Sequence, residues 1–202
     1  MSTAPAAPVL DPAHTALLVL DCQPAVLAAL PEDGERDALL DRIAGAVADV
    51  RALGGTVACV RVGFTEADWD AIPAVNKSFG PLAQHRALHH EDPATAVHER
   101  LAPQAGDITV RKTRYGGMST TDLDQQLRER GITTLVVCGL STSGAVLSTV
   151  IDAADRDYQL HVLSDCVADP SPEAHRALLH HVLPSRAHII DTAELPVLLR
   201  AG

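Results

Sequence analysis

Six apolar runs recur along the chain, and the segments between them carry apolar residues at helical spacing. Each run is continuous rather than alternating with polar residues, which is typical of strands in a parallel sheet that is covered on both faces. The runs predict strands over residues 15–21, 55–62, 107–112, 133–140, 158–165 and 186–191.

The intervening segments show the residues that begin and end helices. The segment starting at Arg36 keeps its leucine, isoleucine and valine side chains on one face and stops at Gly54-Gly55. A later segment begins with Ser171 as a cap and Pro172 at the first helical position. The pattern predicts helices over residues 36–53, 120–130, 143–157, 171–183 and 192–199.

Strands that alternate with helices predict an α/β fold with right-handed crossovers. We expect a doubly wound, mainly parallel six-stranded sheet with helices on both faces. A length of 202 residues fits a single domain over 1–202, with its core at about 14–200. Ligands in such folds bind at the carboxyl ends of the strands, where the winding direction reverses. Asp21 and Lys112 end predicted strands, and the turn after Gly139 lies at the end of another, so they become candidates for a site.

The charge of the chain narrows the possible partners. Its formal net charge is -10, and the basic residues form no patch, which argues against nucleic acid and anionic membranes. No apolar run approaches the length of a membrane span, and the N-terminal residues lack the features of a signal peptide. The four cysteines show no metal or redox spacing. We therefore expect a cytoplasmic protein with reduced, mostly buried thiols.

Three stretches occur in an order that is more specific than any one of them alone. They are LLVLDCQPAVL, VRKTRYGGMSTTDLDQQL and VVCGLSTSGAVLSTVIDAADRDYQLHVLSD. In this order they resemble the isochorismatase-like hydrolase superfamily, which includes the nicotinamidases and the N-carbamoylsarcosine amidases. The resemblance runs from about Thr15 to Leu195, nearly the whole chain.

The resemblance implies a role for four positions. Asp21 matches the catalytic acid/base and Lys112 its lysine partner. Ser141 matches the residue that follows a non-proline cis peptide, and the amides of Ser141 and Ala145 match the oxyanion hole. Ala145 also stands where the amidases carry their catalytic cysteine, so this chain lacks that nucleophile. Cys22 adjoins Asp21, but neighbouring strand residues point to opposite faces, so we expect its thiol to pack away from the site.

Aromatic residues make up only 2% of the chain, and most of them lie in the long connection over 63–106 or soon after it. Long connections usually shape a site, so these rings, including Phe79, are either anchors of the connection or the wall of a pocket for a ring-bearing ligand. Met118 stands where relatives often carry phenylalanine. The residues predicted to bind substrate are Gln23, Phe64, Trp69, Tyr115 and Met118.

The ten histidines do not lead us to predict a metal site. The metal-binding nicotinamidases use an Asp-x-His pair and a further histidine downstream of the second strand, and RVGFTEADWD contains no histidine. His89 and His90 are adjacent and would splay apart in an extended segment. We predict no metal and no cofactor.

Three functions remain open. The first is a hydrolase acting on a small molecule through Asp21 and Lys112 without a thiol, as in the isochorismatases proper, which use the aspartate as a general acid on a vinyl ether. The second is an amidohydrolase of C–N bonds whose cysteine is replaced by Ala145. The third is a catalytically silent member that binds a small molecule. Relatives are commonly homodimers or homotetramers, and we expect a homo-oligomer here.

Overall fold

The computed structural model describes residues 8–32 and 34–200. The six apolar runs form one sheet in the spatial order β3-β2-β1-β4-β5-β6, and every neighbouring pair of strands is parallel. The chain adds β2 and β3 on one side of β1, then returns to add β4, β5 and β6 on the other. The strands are β1 (Thr15–Leu20), β2 (Thr56–Val62), β3 (Ile108–Lys112), β4 (Thr134–Leu140), β5 (Gln159–Ala168) and β6 (His188–Ile190).

Eight α-helical segments accompany the described strands. They are α1 (Pro24–Leu27), α2 (Gly34–Ala52), α3 (Glu66–Asp70), α4 (Gly80–Gln84), α5 (Leu123–Glu129), α6 (Leu147–Ala154), α7 (Pro172–Ala177) and α8 (Leu195–Arg200). Ser171 caps α7 by accepting from the Ala174 amide, and Pro172 begins it, as the sequence predicts.

The sheet has an apolar core on each face, which explains why its strands read as continuous apolar runs. On one face, Leu18 and Leu20 of β1 pack in the cluster that includes Leu127 of α5 and Val150 of α6. On the other face, the alternate residues Leu17 and Val19 share a cluster with α2 and α8. The predicted doubly wound α/β architecture is confirmed, and the described sheet is wholly parallel.

Two of the predicted helices are divided by wider π-helical turns. Residues Thr142–Val146 form a π-helical turn before α6, and Leu178–Val182 form another after α7. Apolar spacing does not reveal such turns, because one extra residue per turn shifts only a few side chains. Single π-turns occur frequently at functional sites. Over residues 8–32 and 34–200, no helix is long and apolar enough to cross a bilayer.

Candidate active site

The carboxyl ends of β1, β3 and β4 place the candidate residues at the switch point of the sheet. Leu20 pairs with Gly139 of β4 on one side and with Val60 of β2 on the other. After β3 the chain returns past β1 to form β4, so the winding direction reverses between β1 and β4. Asp21, Lys112 and the turn at Ser141 therefore lie at the carboxyl ends of strands, on the edge of the sheet where α/β folds bind ligands.

Close backbone approach at the end of β4 requires a glycine. Gly139 has a φ of 112°, and a Cβ atom built on it would lie 2.0 Å from the carbonyl oxygen of Leu20. A side chain there would push β4 away from β1. The glycine therefore holds the turn after β4 next to the residue that follows Leu20, which is Asp21.

Asp21 leaves β1 in an unusual conformation. Its φ is 51°, in the left-handed region that non-glycine residues seldom adopt, although aspartate tolerates it better than most. The backbone is held there because the amide of Asp21 donates to Val60 O at 2.8 Å and its carbonyl accepts from the Gln23 amide at 2.8 Å. Such conformations persist where neighbouring contacts fix them, and they cluster at functional sites.

Asp21 and Lys112 form a buried ion pair. Lys112 Nζ lies 2.7 Å from Asp21 Oδ2, and the two side chains are 2% and 8% exposed. The ammonium also donates to the carbonyls of Arg114 at 3.1 Å and Tyr115 at 3.0 Å, so each of its three hydrogens has an acceptor. The remaining carboxylate oxygen, Asp21 Oδ1, is buried without a hydrogen-bond partner among the described residues.

Burial has the largest effect on the proton affinity of Asp21. Removal from water raises the pKa of Asp21 from 3.8 to about 6, although the charge and hydrogen bond of Lys112 lower it. A carboxyl group with this pKa exchanges protons near neutral pH, as general acids and bases do.

The turn after β4 is built from small residues. The peptide bond between Leu140 and Ser141 is cis, at the position that the resemblance implies. Ala145 is buried at 2% exposure, and a Cβ on Gly144 would come within 2.7 Å of Ser141 Oγ and 3.3 Å of the Tyr115 ring. This ring therefore lies against the turn that carries Ala145.

Residues after β5 support the outside of this turn. Asp169 Oδ2 accepts from the amide of Ser143 at 2.7 Å and from its hydroxyl at 2.6 Å. The buried Thr142 hydroxyl shares a hydrogen bond with His175 Nδ1 at 2.9 Å. Neither supporting residue was predictable from the sequence, because the contacts join positions about thirty residues apart in the chain.

The four cysteines are buried and free, and none replaces the missing nucleophile at position 145. Cys22 packs in the cluster under α2, as its place next to Asp21 predicts. Burial raises the pKa of Cys22 and Cys138 well above that of an ordinary thiol, and it raises the pKa of Cys59 to about 11 and of Cys166 to about 12. Thiols with such values carry very little thiolate at neutral pH.

Gln23 takes a structural position instead of facing a ligand. It is fully buried, and its amide nitrogen donates to Val62 O at 2.8 Å and Thr95 O at 2.6 Å. Its amide oxygen accepts from the Val62 amide at 2.8 Å. The expectation that Gln23 binds substrate is corrected, because its polar atoms are occupied in joining β1, β2 and the long connection.

Most of the residues predicted to form a pocket wall are buried inside the protein. Phe64 and Trp69 are buried in a cluster within the long connection, and Trp69 Nε1 donates to Ala87 O at 3.1 Å. Met118 is buried in the core cluster that also contains Ala145. Tyr115 is 47% exposed and is the predicted aromatic residue that reaches the surface beside the turn.

Phe79 is missing from the predicted set of binding residues. Its ring lies 4.9 Å from that of Tyr115 and 6.4 Å from that of Phe64, and the Arg114 guanidinium lies 5.2 Å from its centroid. Phe79 thus connects the internal rings to the exposed one. The signal for Phe79 was that the chain has only five aromatic residues, but nothing in the sequence spacing indicated its contact with Tyr115.

Comparison with known proteins agrees with this architecture. The isochorismatase domain family matches residues 15–194. The ureidoacrylate amidohydrolase RutB of Methylobacterium radiotolerans is 36% identical over 204 residues, covering 91% of this chain and 79% of that protein. The phenazine biosynthesis protein PhzD of Pseudomonas fluorescens is 30% identical over 190 residues, covering 92% of this chain and 86% of that protein.

A solved structure is similar over the whole chain. A cysteine hydrolase from Pseudomonas syringae pv. phaseolicola 1448A has a TM-score of 0.85 at 26% identity, covering 100% of this chain and 99% of that one. The parallel sheet, with the candidate residues at its switch point, defines an α/β fold. The chain belongs to the isochorismatase family and is a hydrolase of that family.

Proposed function

We propose that this hydrolase acts on a small molecule without a cysteine nucleophile, with Asp21 transferring the proton and Lys112 holding Asp21 in place. The observation that carries the proposal is the buried ion pair at 2.7 Å, in which Asp21 Oδ1 has no protein partner among the described residues. That oxygen is able to exchange a proton with a substrate while Oδ2 keeps its bond to Lys112.

The pKa of about 6 supports Asp21 as an acid. An ordinary aspartic acid is almost fully ionised near neutral pH, whereas a group with this pKa retains a useful protonated fraction. On a vinyl ether, Asp21 would give its proton to the terminal vinyl carbon. Water then adds to the resulting oxocarbenium carbon and gives a proton back to the Asp21 carboxylate. The hemiketal hydroxyl proton moves to the ether oxygen as the C–O bond breaks, which releases a ketone and an alcohol.

The residues around Ala145 support a ring-bearing substrate. The methyl side chain takes little room, and the Tyr115 ring, which pairs with the ring of Phe79, lies close to Gly144. A planar or cyclic molecule is able to stack against such a pair. No covalent enzyme intermediate is required, because water is the nucleophile.

The test is an assay of the wild type, Asp21→Asn and Ala145→Cys on isochorismate and on a panel of small amides that includes ureido acids. We expect the wild type to hydrolyse the vinyl ether and Asp21→Asn to lose at least about a hundredfold in kcat/KM. Cys22→Ala serves as a control for the neighbouring thiol and should retain activity, since that thiol packs under α2.

A second function has specific support from the 36% identity to a ureidoacrylate amidohydrolase. If the wild type were inactive on every compound and Ala145→Cys hydrolysed an amide, the chain would be an amidohydrolase lacking its nucleophile. If all variants were silent while the wild type bound the same molecules tightly, the protein would be a binding member of the family. Either result would overturn the proposal of an aspartate-dependent hydrolase.

A further inference from the structure

Three consecutive residues of the long connection bring metal-binding atoms together. Each of His89, His90 and Glu91 offers one ligand atom, and these atoms all lie within 4.8 Å of one another. The two imidazole rings are 4.9 Å apart, so the adjacent histidines do not splay as an extended segment would make them. The group is separate from the Asp-x-His pattern of the metal-binding nicotinamidases, which the sequence lacks.

The backbone of this segment is fixed to the end of β2. Phe64 and His89 form a parallel bridge, and the His90 amide donates to Phe64 O at 2.9 Å. The Thr95 hydroxyl donates to His89 O at 2.7 Å. A Cβ on Gly63 would lie 3.3 Å from the Cα of His90, so the segment rests directly against the strand end. Ligands held on a fixed backbone need little ordering when a cation binds.

The side chains of His89, His90 and Glu91 have few other hydrogen-bond partners among the described residues. Among the described residues, the side chains of His90 and Glu91 form no hydrogen bond or ion pair, and Nδ1 of His89 accepts only a 3.4 Å bond from the Glu91 amide. Two imidazole nitrogens and a carboxylate oxygen suit a borderline divalent transition cation such as Zn²⁺, Ni²⁺ or Cu²⁺. The four thiols, which would compete for such a cation, are buried.

We propose that His89, His90 and Glu91 bind a divalent transition cation on the surface of the long connection. The cation would complete its coordination with water and would fasten this segment where it meets β2. The proposal does not depend on the reaction at Asp21, because none of its three ligands belongs to the ion pair or to the turn at Ala145.

A single tryptophan provides the test. Trp69 is the only tryptophan in the chain, and its ring lies 5.5 Å from that of His89. Tag-free protein is titrated with Ni²⁺, which quenches nearby indole fluorescence. We expect saturable quenching at one Ni²⁺ per chain. His90→Ala and Glu91→Gln should each weaken the apparent affinity by at least about tenfold.

His181→Ala is the matched control, because His180 and His181 are also adjacent but their rings are 6.4 Å apart on another element. The control should quench like the wild type. Zn²⁺ should also raise the melting temperature of the wild type and of His181→Ala more than that of His90→Ala, since a cation that binds only the folded state stabilises it. Absence of saturable quenching in the wild type, or equal quenching in all variants, would overturn the proposal.

Discussion

Asp21 combines two features that ordinary surface aspartates lack. Its backbone has a φ of 51°, and its Oδ1 atom is buried without a partner among the described residues while Oδ2 binds Lys112. Burial raises the pKa of its carboxyl group and the nearby ammonium lowers it, so the value of about 6 is a balance of two opposing effects. A change in either one should appear in the pH dependence of the reaction.

The pH dependence of kcat/KM tests the role of Asp21 as an acid. If the protonated carboxyl is the active form, kcat/KM should fall as the pH rises through about 6. Lys112→Met removes the group that lowers the pKa of Asp21, so the falling limb should move to higher pH by about 1 unit or more. Any residual activity of the variant is sufficient for the measurement.

Lys77→Met is the natural control, since Lys77 is exposed and is the only other lysine in the chain. Its profile should coincide with that of the wild type. A rate that rises with pH through about 6 would mean that Asp21 acts in its ionised form, as a base, and would refute the proposed direction of proton transfer.

At the scale of elements, the site depends on how closely β4 approaches β1. The Gly139 backbone contacts the carbonyl of Leu20, and the cis peptide and π-helical turn follow immediately. The turn is then supported from outside by Asp169 and His175. Strand pairing and side-chain contacts thus both position the turn from Ser141 to Ala145.

Two glycine substitutions should have opposite effects on stability. Gly139→Ala places a methyl group 2.0 Å from Leu20 O at a φ of 112°, so we expect a loss of about 3 kcal/mol or more in the free energy of unfolding. Gly45→Ala lies in α2 with nothing within 4 Å of the new Cβ and should gain about 0.5–1 kcal/mol. Urea unfolding monitored by circular dichroism measures both. Equal stability of the two variants would contradict the close approach of β4 to β1.

Across the whole molecule, two buried groups give the stability opposite pH dependences. The folded pKa of Asp21 is raised from 3.8 to about 6, so its contribution is present below pH 3.8 and is lost as the pH rises through about 6. Burial and the neighbouring His188 ring lower the pKa of His161 from 6.5 to about 4. The contribution of His161 is therefore present above pH 6.5 and is lost as the pH falls through about 4.

His161→Leu isolates one of these two effects. His161 is fully buried, and neither of its ring nitrogens has a hydrogen-bond partner among the described residues. The difference in unfolding free energy between the variant and the wild type should be about 2 kcal/mol more favourable to the variant at about pH 4.5 than at about pH 7.5. The reason is that the variant has no buried imidazole to protonate. Urea unfolding at the two pH values measures the difference. The exposed His181→Leu should show no such dependence, and an equal gain at both pH values for His161→Leu would contradict the lowered pKa.

The fold was predictable because its strands are buried on both faces and therefore read as continuous apolar runs. The positions of Asp21, Lys112 and the turn at Ser141 followed from the rule that parallel strands end at one edge of the sheet. The structural role of Gln23 was not predictable, because its partners Val62 and Thr95 are distant in sequence. The contact of Phe79 with Tyr115 was not predictable for a similar reason, because it depends on the path of an irregular connection.

The three hydrogens of the Lys112 ammonium connect the carboxylate of Asp21 to the backbone of the segment that follows β3. One hydrogen serves Asp21, and the other two serve the carbonyls of Arg114 and Tyr115, which belong to the segment that presents the exposed ring. A ligand that shifts this segment must alter the surroundings of the ammonium, and so the proton affinity of Asp21. Thermodynamic linkage makes the effect reciprocal, so protonation of Asp21 must change the affinity for that ligand by the same factor.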